Sequence, residues 1–263
     1  PRSRDRCHRP IQREPLVTRF RDYTVLGFPP PSSGGVHVAQ ILNMLEQFDL
    51  ATIERSDPAT ANHLIAEAMK LAFADVYRYV AEASAMEVTP VQMLDPAYLK
   101  NRAKLIDMKK AQDFGAGNPV KGGTIYLSAA DENGMMVSFI QSNYMGFGSG
   151  CVEPTFGISL QNRGHGFNAS PKGANKANLV APGKRPFHTI IPAFLTQNGQ
   201  PVMSFGVMGG NMQPQGHMQT LVRMIDHAQN PQTACDAPRW RFNTGLEINA
   251  EPTMPAATVQ GLK

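Results

Sequence analysis

Helix-spaced and strand-spaced runs of apolar residues follow one another along the chain. A short β-rich run, 22–28, is stopped by Pro29-Pro30-Pro31-Ser32-Ser33-Gly34-Gly35. From Val36 onward, Val38, Ile41, Leu42, Leu45 and Phe48 recur at the three-and-four spacing of an amphipathic helix, and Gly34-Gly35 suits close packing at its start. Asp57-Pro58 supplies an N-cap and a first-turn proline to a long helix carrying Leu64, Ile65, Ala68, Ala72, Phe73, Val76 and Val80. Asp95-Pro96 opens a shorter one with Tyr98, Leu99, Ala103 and Ile106. The stretch from Lys109 to Lys121, poor in apolar residues and containing Gly115, Gly117 and Pro119, reads as an exposed, cleavable linker.

Strand character takes over after the linker. Thr124-Ile125-Tyr126-Leu127 and Met135-Met136-Val137-Ser138-Phe139-Ile140 flank a polar turn closing on Asn133-Gly134, the pattern of a hairpin with buried strands. A further short strand is expected at 157–160, and 163–184 reads as a long polar loop, of the kind that is functional or disordered in a compact domain. The runs 188–195 and 201–206 around Gln197-Asn198-Gly199-Gln200 predict a second hairpin. Its last strand runs through Gly209-Gly210 into 215–228, where Met218, Leu221, Val222 and Ile225 are spaced as in a helix.

Two features of this pattern suit chemistry. Thr124 follows Gly122-Gly123 at the head of a strand and just after the linker, where a chain that cuts itself frees a threonine whose own α-amine serves as its base. Gly209-Gly210 lies at a strand-to-helix turn, which presents backbone N–H groups to an oxyanion. His63 and Glu67, one turn apart on the second helix, have a spacing that suits a metal, but no third ligand stands near, and an ion-pair or packing role is expected. Gly146-Phe147-Gly148-Ser149-Gly150 is glycine-rich, but Cys151-Val152-Glu153-Pro154 does not begin the helix that a nucleotide site requires. Ser149 is not set in a nucleophile elbow.

The chain has 263 residues, 42% apolar and 17% charged, enough for a globular core. Its net charge of +4 comes largely from Arg2, Arg4, Arg6, Arg9, Arg13, Arg19 and Arg21, interspersed with acids and without aromatic interleaving, which argues against nucleic-acid binding. Cys7, Cys151 and Cys235 are odd in number and far apart, so they are expected as buried or free thiols. No run approaches the roughly 18 apolar residues of a membrane span. The start has neither Met nor the apolar core of a signal peptide, so the chain reads as a fragment and its cellular address stays open.

Six motifs in order, Pro29 to Gly35, the Thr124 hairpin, Phe147-Gly148-Ser149-Gly150, Gly183-Lys184-Arg185-Pro186, Met208-Gly209-Gly210 and Asn230-Pro231 to Ala237-Pro238-Arg239, resemble the γ-glutamyltranspeptidase family. That resemblance implies an N-terminal nucleophile (Ntn) hydrolase, an α+β, four-layer αββα sandwich of two antiparallel sheets, part of it in this chain. It implies self-cleavage between Gly123 and Thr124. Residues 1–123 would then be the C-terminal part of a large subunit and 124–263 the small subunit, joined as a heterodimer. It further implies Thr124 as nucleophile, Ser142 as a second hydroxyl touching it, Gly209 and Gly210 as the oxyanion hole, no cofactor and no metal.

Three departures from the family pattern concern the donor pocket. The position matching an acidic residue that grips the glutamyl ammonium is Gly166, the serine pair for the α-carboxylate is replaced within Phe187-His188-Thr189, and an asparagine after the hairpin is replaced by Tyr144. The resemblance implies a γ-glutamyl amide such as glutathione as donor, hydrolysed more than transferred. The departures, with Arg163 beside them, point to a glutaryl or cephalosporin-type acylase as the alternative, with Arg163, Tyr144, His188 and Thr189 in the substrate pocket. An inactive fragment is the remaining alternative.

Overall fold

The computed structural model describes residues 11–114, 123–170 and 175–263. Its first half is β1 (Leu16–Phe20), β2 (Tyr23–Gly27), α1 (Gly34–Leu45), α2 (Leu50–Ser56), α3 (Pro58–Tyr79), α4 (Pro90–Met93) and α5 (Pro96–Ala103). There follow β3 (Gly123–Ala130), β4 (Met136–Tyr144), β5 (Val152–Glu153), β6 (Ile158–Ser159), β7 (Ala193–Gln197) and β8 (Gln200–Phe205). The chain closes with α6 (Met212–Ile225), α7 (Pro231–Asp236), β9 (Trp240–Thr244), β10 (Glu247–Ala250) and α8 (Ala256–Gly261).

The fold is α+β, and its sheets are antiparallel. Strands β1, β2, β7 and β8 form a four-stranded sheet in that order. Helix α1 lies against β1 and β2, with α3, α5 and α6 packed around it. Residues from both halves share one apolar cluster, in which Phe20, Leu42 and Leu64 meet Leu195, Met218 and Trp240. A leucine as fully buried as Leu42 or Leu64 contributes about 1.5–3 kcal/mol relative to leaving it exposed.

Local chemistry sets the helix starts. The Asp57 carboxylate accepts from the backbone N–H groups of Ala59 and Thr60 at 3.1 and 3.2 Å, and Asp95 accepts from Tyr98 N–H at 2.8 Å. The glycine pair that opens α1 is there for contact: a Cβ on Gly35 would lie 2.2 Å from the Phe28 carbonyl oxygen, and one on Gly34 would overlap Ile191. Helix α6 holds β9 through side chains, because Gln215 exchanges hydrogen bonds with both backbone groups of Phe242, and Gln219, one turn on, does the same with Trp240. The two glutamines take the place of a neighbouring strand.

Several expectations change. Phe48 and Ile106 lie just beyond the ends of α1 and α5, although both pack on the core. Helix α6 starts and stops earlier than its apolar spacing suggests. The run before Pro192 is irregular because Pro31-Ser32-Ser33 clasps it: His188 N–H donates to Pro31 O and Ser33 N–H to His188 O. Strands β1, β5, β9 and β10 and helices α2, α4, α7 and α8 are not expected from the sequence pattern. The linker lies outside the described residues from 115 to 121, and its described beginning is tied down rather than free. Gln112 N–H donates to the Glu67 carboxylate at 3.2 Å, and Phe114 packs on the core beneath the Lys70 ammonium.

The hairpin strands are not buried on both faces. Ser138, pointing inward, accepts from Ala193 N–H at 3.1 Å and lies 2.9 Å from the Tyr126 hydroxyl, which fastens β3 and β4 to the main sheet. Ile125, Leu127, Val137 and Phe139 point the other way and stay exposed. Cys151 and Cys235 are free, exposed thiols, and Cys7 lies outside the described residues.

Candidate active site

Thr124 sits at an irregularity in its own hairpin. Gly123 pairs with Tyr144 and Ile125 with Gln141, so two β4 residues, Ser142 and Asn143, face the single residue Thr124. A bulge of this kind bends the strand and re-aims a side chain. The Thr124 hydroxyl donates to Ser142 Oγ at 3.2 Å, and the same oxygen accepts from Tyr144 N–H at 2.9 Å. Ser142 is thus fixed by the backbone while it orients the threonine.

Tyr144, at the exit of β4, has φ of +77°, in the left-handed region that a bulky residue seldom adopts. That turn lays its ring 5.2 Å from the Arg163 guanidinium carbon and 6.0 Å from the ring of His165. Asn162 holds the two loops together: its amide bonds both backbone groups of Met145, at 3.0 and 3.1 Å, and the carbonyl of Gly148 at 3.0 Å. No sequence signal marked Asn162, because a side-chain amide that imitates a strand partner has no characteristic spacing. The loop 146–150 is likewise structural, since a Cβ on Gly148 would lie 2.4 Å from the Leu160 carbonyl oxygen that anchors Ser149.

The stretch 163–184 is not simply a solvated polar loop. Its described residues include two short 3₁₀ turns and bury Arg163, Asn175 and Asn178. Arg163 is only 2% exposed. Its Nη1 donates weakly to Thr189 Oγ1 at 3.4 Å, while Nη2 is buried without a hydrogen-bond partner. Among the described residues no carboxylate forms an ion pair with it, and Glu82, which with Arg163 acts on His188, is held by Arg185 at 2.5 Å. Burial lowers the Arg163 pKa and raises that of Tyr144. Gly166 lets the backbone approach Phe187: a Cβ would stand 3.1 Å from the Phe187 carbonyl oxygen.

His188 carries no charge to this corner at neutral pH. Its Nδ1 lies 2.5 Å from the Pro186 carbonyl oxygen, and burial, joined by the field of Arg163, pushes its pKa down to about 4. Of Arg163, His188 and Thr189, the guanidinium is therefore the cationic group.

Gly209 and Gly210, with φ of +115° and +59°, carry the chain from β8 into α6, whose first bonds run from Met212 and Gln213 back to their carbonyls. A Cβ on Gly206 would meet the Tyr126 ring at 2.3 Å, so the segment leading into this turn lies against the strand that Thr124 opens. His63 and Glu67 do not converge. His63 Nε2 bonds the Asp107 carbonyl oxygen at 2.7 Å, while Glu67 is buried in an ion pair with Lys70. No helix among the described residues is long and apolar enough to cross a membrane.

The chain is 35% identical to the acylase ACY 1 proenzyme of Pseudomonas sp. (strain SE83) over 95% of its length, and 34% identical to the glutathione hydrolase-like YwrD proenzyme of Bacillus subtilis over 98%. It covers 44% and 49% of those two proteins, so it spans less than half their length. The crystal structure of cephalosporin acylase from Bacillus halodurans superposes with a TM-score of 0.88 at 47% identity, over 97% of this chain and 46% of that one. The antiparallel α+β architecture is the Ntn-hydrolase fold of these neighbours. The Gamma-glutamyltranspeptidase family profile matches residues 6–263, and the chain belongs to the γ-glutamyltranspeptidase family.

Proposed function

We propose that this chain carries the catalytic threonine of a self-processing amidohydrolase. The observation that supports it is the Thr124 hydroxyl, re-aimed by a strand bulge onto Ser142 Oγ at 3.2 Å. In processing, Thr124 Oγ attacks the Gly123 carbonyl carbon, the hydroxyl proton passes to the Thr124 nitrogen as the Gly123–Thr124 C–N bond breaks and frees the α-amine, and water hydrolyses the resulting ester to release the Gly123 carboxylate and the Thr124 hydroxyl. In turnover, the α-amine takes the hydroxyl proton as Oγ attacks a substrate amide carbonyl. The N–H groups of Gly209 and Gly210 stabilise the oxyanion, the proton passes to the departing amine, and water hydrolyses the acyl-threonine ester.

The pieces 1–123 and 124–263 remain joined after scission, because they share the apolar cluster and β2 pairs with β7 across the cut. The relatives' names support two donor classes, γ-glutamyl amides such as glutathione and acyl amides of the acylase kind, with hydrolysis favoured over transfer. Gly166 in place of an acid favours the acylase reading. The test is intact-mass analysis and anilide hydrolysis with the complete protein. Two pieces are expected, one ending at Gly123 and one beginning at Thr124, Thr124→Ala should abolish both cleavage and turnover, and an uncut chain or an active alanine variant would refute the mechanism.

A further inference from the structure

We infer that Tyr126 is a positioning residue: its side chain sets the separation between the Thr124 hydroxyl and the Gly209–Gly210 turn, and so fixes where a substrate carbonyl is held between nucleophile and oxyanion donors. This rests on the reading of Thr124 as the nucleophile and of the two glycines as its oxyanion hole. Thr124 and Tyr126 stand two residues apart on β3 and share its inward side, while Ile125 and Leu127 are exposed on the other. The Tyr126 ring is seated where a side chain at residue 206 would be. A Cβ on Gly206 would stand 2.5 and 2.7 Å from ring atoms Cε2 and Cγ, and closer still to Cδ2. Gly206 is not among the glycines with positive φ, so the ring, not the backbone, requires a glycine there.

The tyrosine also grips the residue before Gly206. Its hydroxyl lies 2.9 Å from Ser138 Oγ, which accepts from Ala193 N–H at 3.1 Å and donates to the Phe205 carbonyl oxygen at 3.4 Å. With the tyrosine and Ala193 both donating to it, the serine has its one proton left for Phe205. Phe205 ends β8, and the chain from there runs through Gly206 into the glycine turn. The far end of that turn is fixed independently. Met212 and Gln213 N–H groups donate to the carbonyls of Gly209 and Gly210, and the buried Gln213 side chain accepts from Ile191 N–H at 3.2 Å. Tyr126 thus joins the nucleophile's own strand to the entering end of the turn. An oxyanion donor works at about 2.7–3.1 Å from the developing charge, and a misplacement of about 1 Å costs up to about 10²-fold. A side chain that spaces these two groups acts on kcat, not on KM.

The experiment measures turnover of γ-glutamyl and glutaryl p-nitroanilides by the complete protein, with the cleaved fraction counted by intact mass and urea unfolding run alongside. Tyr126→Leu should lower kcat about 10–10²-fold per cleaved molecule with KM within about twofold of wild type, a split that loss of folded protein does not produce. Tyr126→Phe, which keeps the ring, should lose only several-fold. Gly206→Ala should lower kcat by itself yet add little in the Tyr126→Leu background, where the ring that its methyl group meets is gone. A kcat in Tyr126→Leu within about twofold of wild type, an effect carried by KM, or additive effects of the two substitutions overturns the inference while leaving the threonine mechanism standing. Where Tyr126→Leu or Gly206→Ala does not fold, Tyr126→Phe decides by the same split, and an unchanged kcat overturns the inference. An uncut, inactive wild type brings down the threonine reading and this inference with it.

Discussion

Thr124 and Ser142 meet hydroxyl to hydroxyl at 3.2 Å, across the one place where the β3–β4 ladder loses its register. Regular pairing would set a single residue opposite Thr124. The extra residue on β4 instead turns Ser142 toward the threonine and leaves Tyr144 at φ of +77°.

Ser142→Ala should therefore slow both processing and turnover while leaving the fold intact. A neutral hydrogen bond contributes about 0.5–1.5 kcal/mol net, so a loss of several-fold in kcat is expected, with Ser142→Thr keeping most of it. Time courses of band splitting on gels and single-turnover kinetics measure it. Equal rates in Ser142→Ala and wild type would show that Ser142 does not orient the nucleophile.

Gly209→Ala should cost more. At φ of +115° a Cβ is strained, and it would also press on Met212 Cβ at 3.2 Å. If this turn supplies an oxyanion donor, kcat should fall about 10²–10³-fold, the loss typical of one such donor, with a smaller change in KM. Gly210→Pro is a poorer probe, since φ of +59° is closed to proline and the turn itself would break.

Glu67→Ala should be strongly destabilising. Its carboxylate is buried against the Lys70 ammonium, 1% against 3% side-chain exposure, and removing one partner of a buried pair costs about 3–5 kcal/mol. It also releases Gln112 at the start of the segment leading to Thr124. Urea unfolding should show the loss, and Glu67→Leu combined with Lys70→Met should recover much of it. A double variant no better than the single one would contradict a charge-burial cause.

Acid should weaken the fold before the carboxylates titrate. Burial lowers the pKa of His37 and of His217 to about 3, and mainly burial lowers that of His188 to about 4. Unfolded histidines titrate near 6.5, so below that pH the unfolded chain binds more protons than the folded one. Stability is thus full above about pH 6.5 and falls as pH drops toward 4, by up to about 1.4 kcal/mol per pH unit for each histidine. Urea midpoints between pH 7.5 and 5 test this, and His217→Leu should flatten the slope. A midpoint constant over that range would rule it out.

The helix starts were legible in the sequence because Asp57-Pro58 and Asp95-Pro96 act on N–H groups two and three residues away, and local effects need no tertiary context. The same holds for the hairpin at Asn133-Gly134 and for the glycines at 209 and 210, whose positive φ a neighbouring side chain does not decide. Gly-Gly-Thr at a strand entry made Thr124 a candidate, and its place after the linker and within the ordered family motifs singled it out. Tertiary structure decided what depends on distant partners. Strand β9 lacks strong β patterning of its own, and two α6 glutamines supply its hydrogen bonds from 21 and 27 residues away. The bulge at Thr124 is set by pairing, not by composition. Arg163 in a polar stretch reads as a solvated cation, and only the packing of Tyr144, Thr189 and the clasped His188 segment around it creates a desolvated guanidinium. Its chemistry was fixed by its residue type, whereas its burial without a carboxylate partner among the described residues was decided by the fold.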